Sequence, residues 1–189
     1  MLPLSSILHL DQQALLALNF DGGAVMDTLM WWASDKIIWT PLYLLLVWLL
    51  WRKYGWQRML VALVVVVLAV VLADQICNLL KTNLPKFRPT HTPELEGLVH
   101  TVRGYRGGLY GTVSAHAATV TSVAVFGSVL LRRKWWTALS CVWVAVVCYS
   151  RIYLGAHFPL DILCGITLGA LLGWLGVVVW RRATRRWTE

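Results

Sequence analysis

Acidic residues are scarce in this chain. Nine Asp and Glu stand among 189 residues, and all charged residues together make up only 14%. A soluble domain needs a polar surface, and this composition cannot supply one. Proline is rare too, at six residues, and no Pro/Ser/Gly-rich linker, repeat or low-complexity tract divides the chain, so residues 1–189 are expected to form a single domain. Cysteine chemistry is also missing: Cys77, Cys141, Cys148 and Cys164 form no CxxC and have no histidine at zinc spacing. They read as small apolar residues buried within hydrophobic runs. The start, MLPLSSILHL, lacks a basic n-region and a small-residue cleavage site, so no signal peptide is expected.

What the chain has in abundance is apolar surface, with 58% hydrophobic residues and a mean hydropathy of +0.64. Crossing the hydrocarbon layer takes roughly 20 apolar residues. Stretches 57–80, 115–131, 135–150 and 159–180 meet or approach that length, and 37–51 is a shorter fifth. In the first 35 residues, segments 11–20 and 24–33 mix Leu, Met and Trp with Asp11, Asp21 and Asp27. Helical spacing puts their apolar residues largely on one side, as in helices lying in the interface or packed on a bundle. The expected fold is an all-α integral membrane helical bundle. Residues 1–35 would be interfacial helices, 36–182 a core of about five transmembrane helices, and 81–114 an extracytoplasmic loop. Gly165, Gly169 and Gly173 repeat at every fourth position, which favours close helix packing.

The formal charge is +8, and ten of the 17 basic residues flank apolar runs. They are Arg52, Lys53 and Arg58; Arg132, Arg133 and Lys134; and Arg181, Arg182, Arg185 and Arg186. Such placement marks cytoplasmic span ends and attracts anionic lipid, so nucleic acid is set aside as a partner. With these clusters inside, five spans thread with loops 81–114 and 151–158 on the outer face. Tryptophans near the span ends, among them Trp31, Trp51, Trp135, Trp180 and Trp187, suit an aromatic belt. Loop 81–114 nevertheless carries Lys81, Lys86, Arg88, Arg103 and Arg106 against Glu94 and Glu96. Positive charge on a translocated loop needs a use, and binding an anion supplies one.

Three short segments converge on that face under this threading. Lys81, Arg88 and Arg151 offer charged N–H donors suited to phosphate oxygens. Ser114, at a helix start, adds a donor and a favourable dipole. His157 and Asp161 stand four apart at the start of the last helix, so the carboxylate can hold one ring nitrogen and leave the other as a nucleophile. His116, from a separate helix, is placed to protonate a leaving oxygen. Together they make a candidate phosphoryl-transfer site. Arg103, Tyr105, Arg106 and Tyr110 lie nearby as possible contacts to a second phosphate or a head group. His9, His91 and His100 read as satisfied polar residues. Asp74, with Gln75 and Asn78, is expected to hold Lys81 or a neighbouring helix.

The pattern K-x6-RP (Lys81, Arg88, Pro89), then Ser114-x-His116, then SR-x5-H-x3-D (Ser150, Arg151, His157, Asp161) resembles the type-2 phosphatidic acid phosphatase superfamily over residues 81–161. The resemblance implies that Lys81, Arg88 and Arg151 clamp the phosphate while Ser114 hydrogen-bonds it. It implies His116 as general acid, His157 as the residue forming a phosphohistidine, and Asp161 as its orienter, with no metal or cofactor. The second motif departs from the family's usual Pro-Ser-Gly-His, since Val113 and Ala115 replace the Pro and Gly. Ala115 carries a Cβ, which limits how closely the backbone approaches a phosphate.

The implied function is hydrolysis of a lipid phosphomonoester or pyrophosphate at the outer face of a bacterial cytoplasmic membrane. Undecaprenyl pyrophosphate is the first candidate; lipid A phosphate, phosphatidylglycerol phosphate and phosphatidic acid stay open. Transfer of the phosphate to a second lipid is one alternative, and a non-enzymatic transporter or scaffold is another. The expected partners are the lipid substrate and membrane lipids, with no obligate protein partner.

Overall fold

The structure is a computed structural model, and it describes residues 4–185. Arg186 and Trp187 lie outside the described residues. Among the described residues six α-helices carry the fold: α1 (Leu4–Leu18), α2 (Gly23–Ala33), α3 (Thr40–Asn83), α4 (Ala115–Leu131), α5 (Lys134–Tyr153) and α6 (Pro159–Thr184). By length and composition, Ile37–Asn83, Lys134–Tyr153 and Pro159–Thr184 are able to cross a membrane, and Ala115–Leu131 is a shorter apolar helix.

Both of the stretches expected as separate spans, 37–51 and 57–80, fall within the continuous segment Ile37–Asn83, of which α3 is all but the first turn. Helix α3 breaks at Gly55, whose φ of 78° and ψ of 169° are open to a residue without a Cβ. The two arms fold back on each other: Leu46, Leu49 and Leu50 of the first share a core with Ala62, Val65 and Val66 of the second. Phe126, Trp136, Trp143 and Val177 complete that core from α4, α5 and α6. Outward positions such as Val64, Val67, Leu68, Val142, Leu171 and Trp174 remain exposed. Apolar side chains inside and outside together are what a lipid-facing bundle requires. Cys77 and Cys148 are buried as expected, whereas Cys141 and Cys164 lie on this outward apolar surface.

Helices α4 and α6 touch backbone to backbone. A Cβ built on Gly165, Gly169 or Gly173 would come within 2.6, 2.3 and 2.5 Å of the carbonyl oxygens of Ser114, Ala118 and Ser122. One glycine per turn of α6 therefore meets one carbonyl per turn of α4, and this contact starts at the residue that opens α4.

The basic clusters gather at one end. Lys53 Nζ donates to the carbonyls of Leu130 and Leu131, both at 2.7 Å, and the Tyr54 hydroxyl also donates to Leu130. These bonds satisfy carbonyls that the last turn of α4 leaves open. Trp180 donates its indole N–H to the Arg58 carbonyl at 3.0 Å, tying α6 to the same end.

The N-terminal helices pack on the opposite end. Asn19, which is buried, donates to the carbonyls of His100, Ile152 and Tyr153 and accepts the His100 N–H. The Tyr153 hydroxyl donates to Asp27 at 2.6 Å and accepts the Gly22 N–H. Asp21, Asp27 and His100 bring their polar atoms within 4.8 Å of one another. In that cluster Asp27 Oδ1 is already engaged by His100 Nε2 and Tyr153.

Candidate active site

Lys81 ends α3, and the chain then runs back along itself before Pro89. The Arg88 N–H donates to the Leu109 carbonyl and the Gly111 N–H to the Lys86 carbonyl, so residues 86–88 and 109–111 pair as a short antiparallel bridge. Arg88 Nε donates to the Tyr110 carbonyl at 3.1 Å, which aims the rest of the guanidinium. A Cβ on Gly111 would lie 2.9 Å from Arg88 Cγ and 3.3 Å from His157 Cε1, so Arg88 and His157 meet over a bare backbone. His157 leaves a turn closed by the Ala156 and His157 N–H groups on the Arg151 carbonyl. Pro159 begins α6, where a missing N–H costs nothing.

One cavity of about 180 Å³ is lined by Lys81, Arg88, Arg151, His116 and His157, together with Lys36, Tyr105, Asp74, Asn78, Val113 and Ala115. Four cations and two imidazoles thus face one space alongside one carboxylate, a balance that favours a multivalent anion. Asp74 secures Lys81 through Asn78, which donates to Asp74 at 3.0 Å and accepts from Lys81 Nζ at 3.2 Å.

Arg151 is 5% exposed. It donates to the Ser34 hydroxyl and, through Nη2, to the Tyr105 hydroxyl at 3.1 Å. Burial would raise the Tyr105 phenol, but Arg151 and Arg88 beside it hold it below its ordinary value. His157 Nδ1 stands 3.5 Å from Asp161 Oδ2. That is an ion-pair distance rather than a formed hydrogen bond, and Oδ2 already accepts the Phe158 N–H at 3.0 Å. Burial lowers the His157 imidazole to about 4; Asp161 opposes the shift, and Arg88 and Arg151 add to it.

Except for Tyr105, the remaining sequence candidates lie off this lining. Ser114 is fully buried, and its Oγ accepts the Ala117 N–H as the cap of α4. It is absent from the cavity lining, and a hydroxyl that accepts a capping bond still carries an O–H donor. Arg106 donates to the Thr90 carbonyl and braces the loop. Arg103 lies 5.1 Å from the Trp31 ring, and Tyr110 stacks near Phe87. Of the four possible head-group contacts, only Tyr105 lines the cavity.

Sequence reasoning missed a whole wall of the site. Trp31, Ser34 and Asp35 join Tyr105, His116, Arg151 and Leu154 around an adjoining cavity of about 270 Å³. The available signal was the Asp35-Lys36 pair, charged residues set directly before the apolar run that opens at Ile37. His116 also meets a third, mainly apolar chamber of about 330 Å³ running between the arms of α3 and along α4, past Tyr43, Leu46, Val66, Val70 and Val120.

Residues 59–185 match the PAP2 superfamily. The chain is 33% identical over 180 residues to the lipid A 4'-phosphatase of Bacteroides thetaiotaomicron, covering 94% of this chain and 80% of that one. It is 35% identical over 182 residues to the lipid A 4'-phosphatase of Porphyromonas gingivalis, covering 96% and 77%. Its fold is similar to the crystal structure of the transmembrane PAP2-type phosphatidylglycerolphosphate phosphatase from Bacillus subtilis, with a TM-score of 0.70, 18% identity, and 94% and 87% of the two chains covered. The cationic cavity at the end of an apolar bundle and these likenesses agree: the chain belongs to the PAP2 superfamily and is a membrane-bound lipid phosphatase.

Proposed function

We propose that the protein hydrolyses a phosphate monoester of a lipid A-type glycolipid at the outer face of a bacterial cytoplasmic membrane, releasing inorganic phosphate. The observation that carries this reading is the junction at His116. A cationic cavity sized for a phosphate and an apolar chamber between the arms of α3 share His116 and Lys36 in their walls. A head group and an acyl chain of one molecule fit the two compartments together. The likeness to two lipid A 4'-phosphatases along nearly the whole chain supports a glycolipid over the polyprenyl pyrophosphate first expected. The outward orientation is supported by the basic clusters at the far end of the bundle.

In the proposed mechanism Lys81, Arg88 and Arg151 bind the phosphate oxygens and stabilise the charge of the transition state. His157, with Nδ1 toward Asp161, attacks phosphorus through Nε2. The N–P bond forms as the P–O bond to the lipid breaks, and His116 delivers a proton to the departing oxygen. Water then attacks phosphorus, His116 takes its proton, the N–P bond breaks and inorganic phosphate leaves.

A second reading keeps the pyrophosphate substrate. It is favoured by the adjoining cavity at Tyr105, His116 and Arg151, which has room for another phosphate. Both are tested by purified protein on a panel of bis-phosphorylated lipid A, undecaprenyl pyrophosphate, phosphatidylglycerol phosphate and phosphatidic acid. Release of phosphate from the 4' position of lipid A, located by mass spectrometry, is the expected result. Faster cleavage of undecaprenyl pyrophosphate overturns the first reading in favour of the second. Label passing from one lipid to another, without free phosphate, makes the protein a phosphotransferase.

A further inference from the structure

Lys86 does not line the catalytic cavity, although it belongs to the cationic loop that the sequence assigns to anion binding. Its ammonium instead meets two buried carboxylates behind the site. Nζ lies 2.8 Å from Asp161 Oδ1 and 3.3 Å from Asp11 Oδ2. The same Nζ stands 4.3 Å from the centre of the Phe158 ring. Asp161 is 2% exposed and Asp11 5%. The second oxygen of Asp11 accepts the Leu160 N–H at 2.9 Å, so α1 is fastened to the first turn of α6 where Asp161 stands.

The two oxygens of Asp161 therefore have separate duties. Oδ1 belongs to Lys86, whereas Oδ2 accepts the Phe158 N–H and faces His157 Nδ1. A buried carboxylate without a countercharge is strongly unfavourable, and a long lysine side chain adopts one geometry only when several partners hold it. Asp11, Asp161 and the Phe158 ring are those partners.

We infer that Lys86, held by Asp11, is a positioning residue for the phosphatase reaction: it supplies the countercharge for Asp161 and fixes the carboxylate rotation that presents Oδ2 to His157. This rests on the reading of His157 as the nucleophile. Helix α1 contributes to catalysis through the chain Asp11, Lys86, Asp161 and His157, although none of the first three lines the phosphate cavity.

The test is a double-mutant cycle, run on full-length protein in detergent with the panel lipid that the wild type cleaves fastest. Lys86→Met is expected to lower kcat about 10- to 100-fold, by analogy with the cost of losing an outer group that orients a metal-bound imidazole, with KM changed less than about twofold. Lys86→Arg is expected to restore most of kcat. In an Asp161→Asn background, Lys86→Met is expected to cost no further kcat, because its effect runs through that carboxylate. Asp11→Asn gives a smaller loss that also vanishes in that background, and it carries the test if Lys86→Met does not fold. Unchanged kcat in Lys86→Met, or an equal loss with and without Asp161, overturns the inference, since a lysine that merely straps α1 in place would act additively. His157→Ala separates the two layers: if it retains turnover the catalytic reading fails, and if it is dead while Lys86→Met is normal only this inference fails.

Discussion

Arg151 meets Tyr105 twice: Nη2 donates to the phenol oxygen at 3.1 Å, and the guanidinium carbon lies 5.7 Å from the centre of the same ring. Tyr105 in turn packs edge-on against Trp31 at 5.9 Å, so a buried cation of α5 is held by the loop before α4 and, through Trp31, by α2. Tyr105→Phe keeps the ring and removes the bond. A hydrogen bond to a charged group contributes about 1.5–3 kcal/mol, so kcat/KM for phosphate release is expected to fall about tenfold or more. An unchanged value would show that Tyr105 only fills space.

His157→Ala is expected to abolish turnover while the bundle still folds, as read by size-exclusion profile and helical circular dichroism. Asp161→Asn is expected to retain measurable turnover, because the attacking nitrogen survives and only its orientation suffers. Acid-labile, base-stable radiolabel on rapidly quenched wild-type protein, absent from His157→Ala, is the expected signature of the phosphohistidine. Label on the alanine variant would remove His157 from the role.

The pH profile follows from the depressed imidazole. With His157 held at about 4, chiefly by burial, the nucleophile is unprotonated throughout the neutral range. The acidic limb of kcat/KM is thus expected near pH 4 rather than at the ordinary histidine value of about 6.5. Arg88 pushes in the same direction as burial, so Arg88→Met should move that limb to higher pH as well as weaken binding. Linkage has a matching sign: the unfolded chain binds the proton more readily, so stability falls as pH drops from about 6.5 toward 4. Initial rates and thermal unfolding across pH 4–8 check both expectations.

Gly169→Ala tests the packing of α4 on α6. The added Cβ would fall 2.3 Å from the Ala118 carbonyl oxygen, so one helix must move. Overpacking of this kind costs about 1–3 kcal/mol, and the unfolding midpoint in detergent is expected to drop by several degrees. Since the same contact carries Ser114 and the start of α4, residual activity should fall too. A midpoint equal to wild type would mean that the two helices sit further apart.

The chain's apolar runs and the spacing within K-x6-RP and SR-x5-H-x3-D were enough to anticipate the membrane bundle and the family, and to nominate Lys81, Arg88, Arg151 and His157, which line one cavity with His116. Each depends on neighbours along the chain: hydropathy is a property of a window, and the His157–Asp161 spacing is one turn of helix. Ser114 shows where such reasoning stopped, because a serine before a helix is equally a donor and a cap, and the structure adds the capping bond from the Ala117 N–H.

The wall made by Trp31, Ser34 and Asp35, the fold-back of α3 at Gly55, and the bond of Lys86 to Asp11 and Asp161 could not be read in the same way. Asp11 and Asp161 are 150 residues apart, and nothing in their local sequences marks them as sharing a lysine. They meet because burying α1 against α6 leaves two carboxylates away from water, and an ammonium is what makes that burial tolerable. Packing selected the partners; periodicity could only show which faces were available to pack.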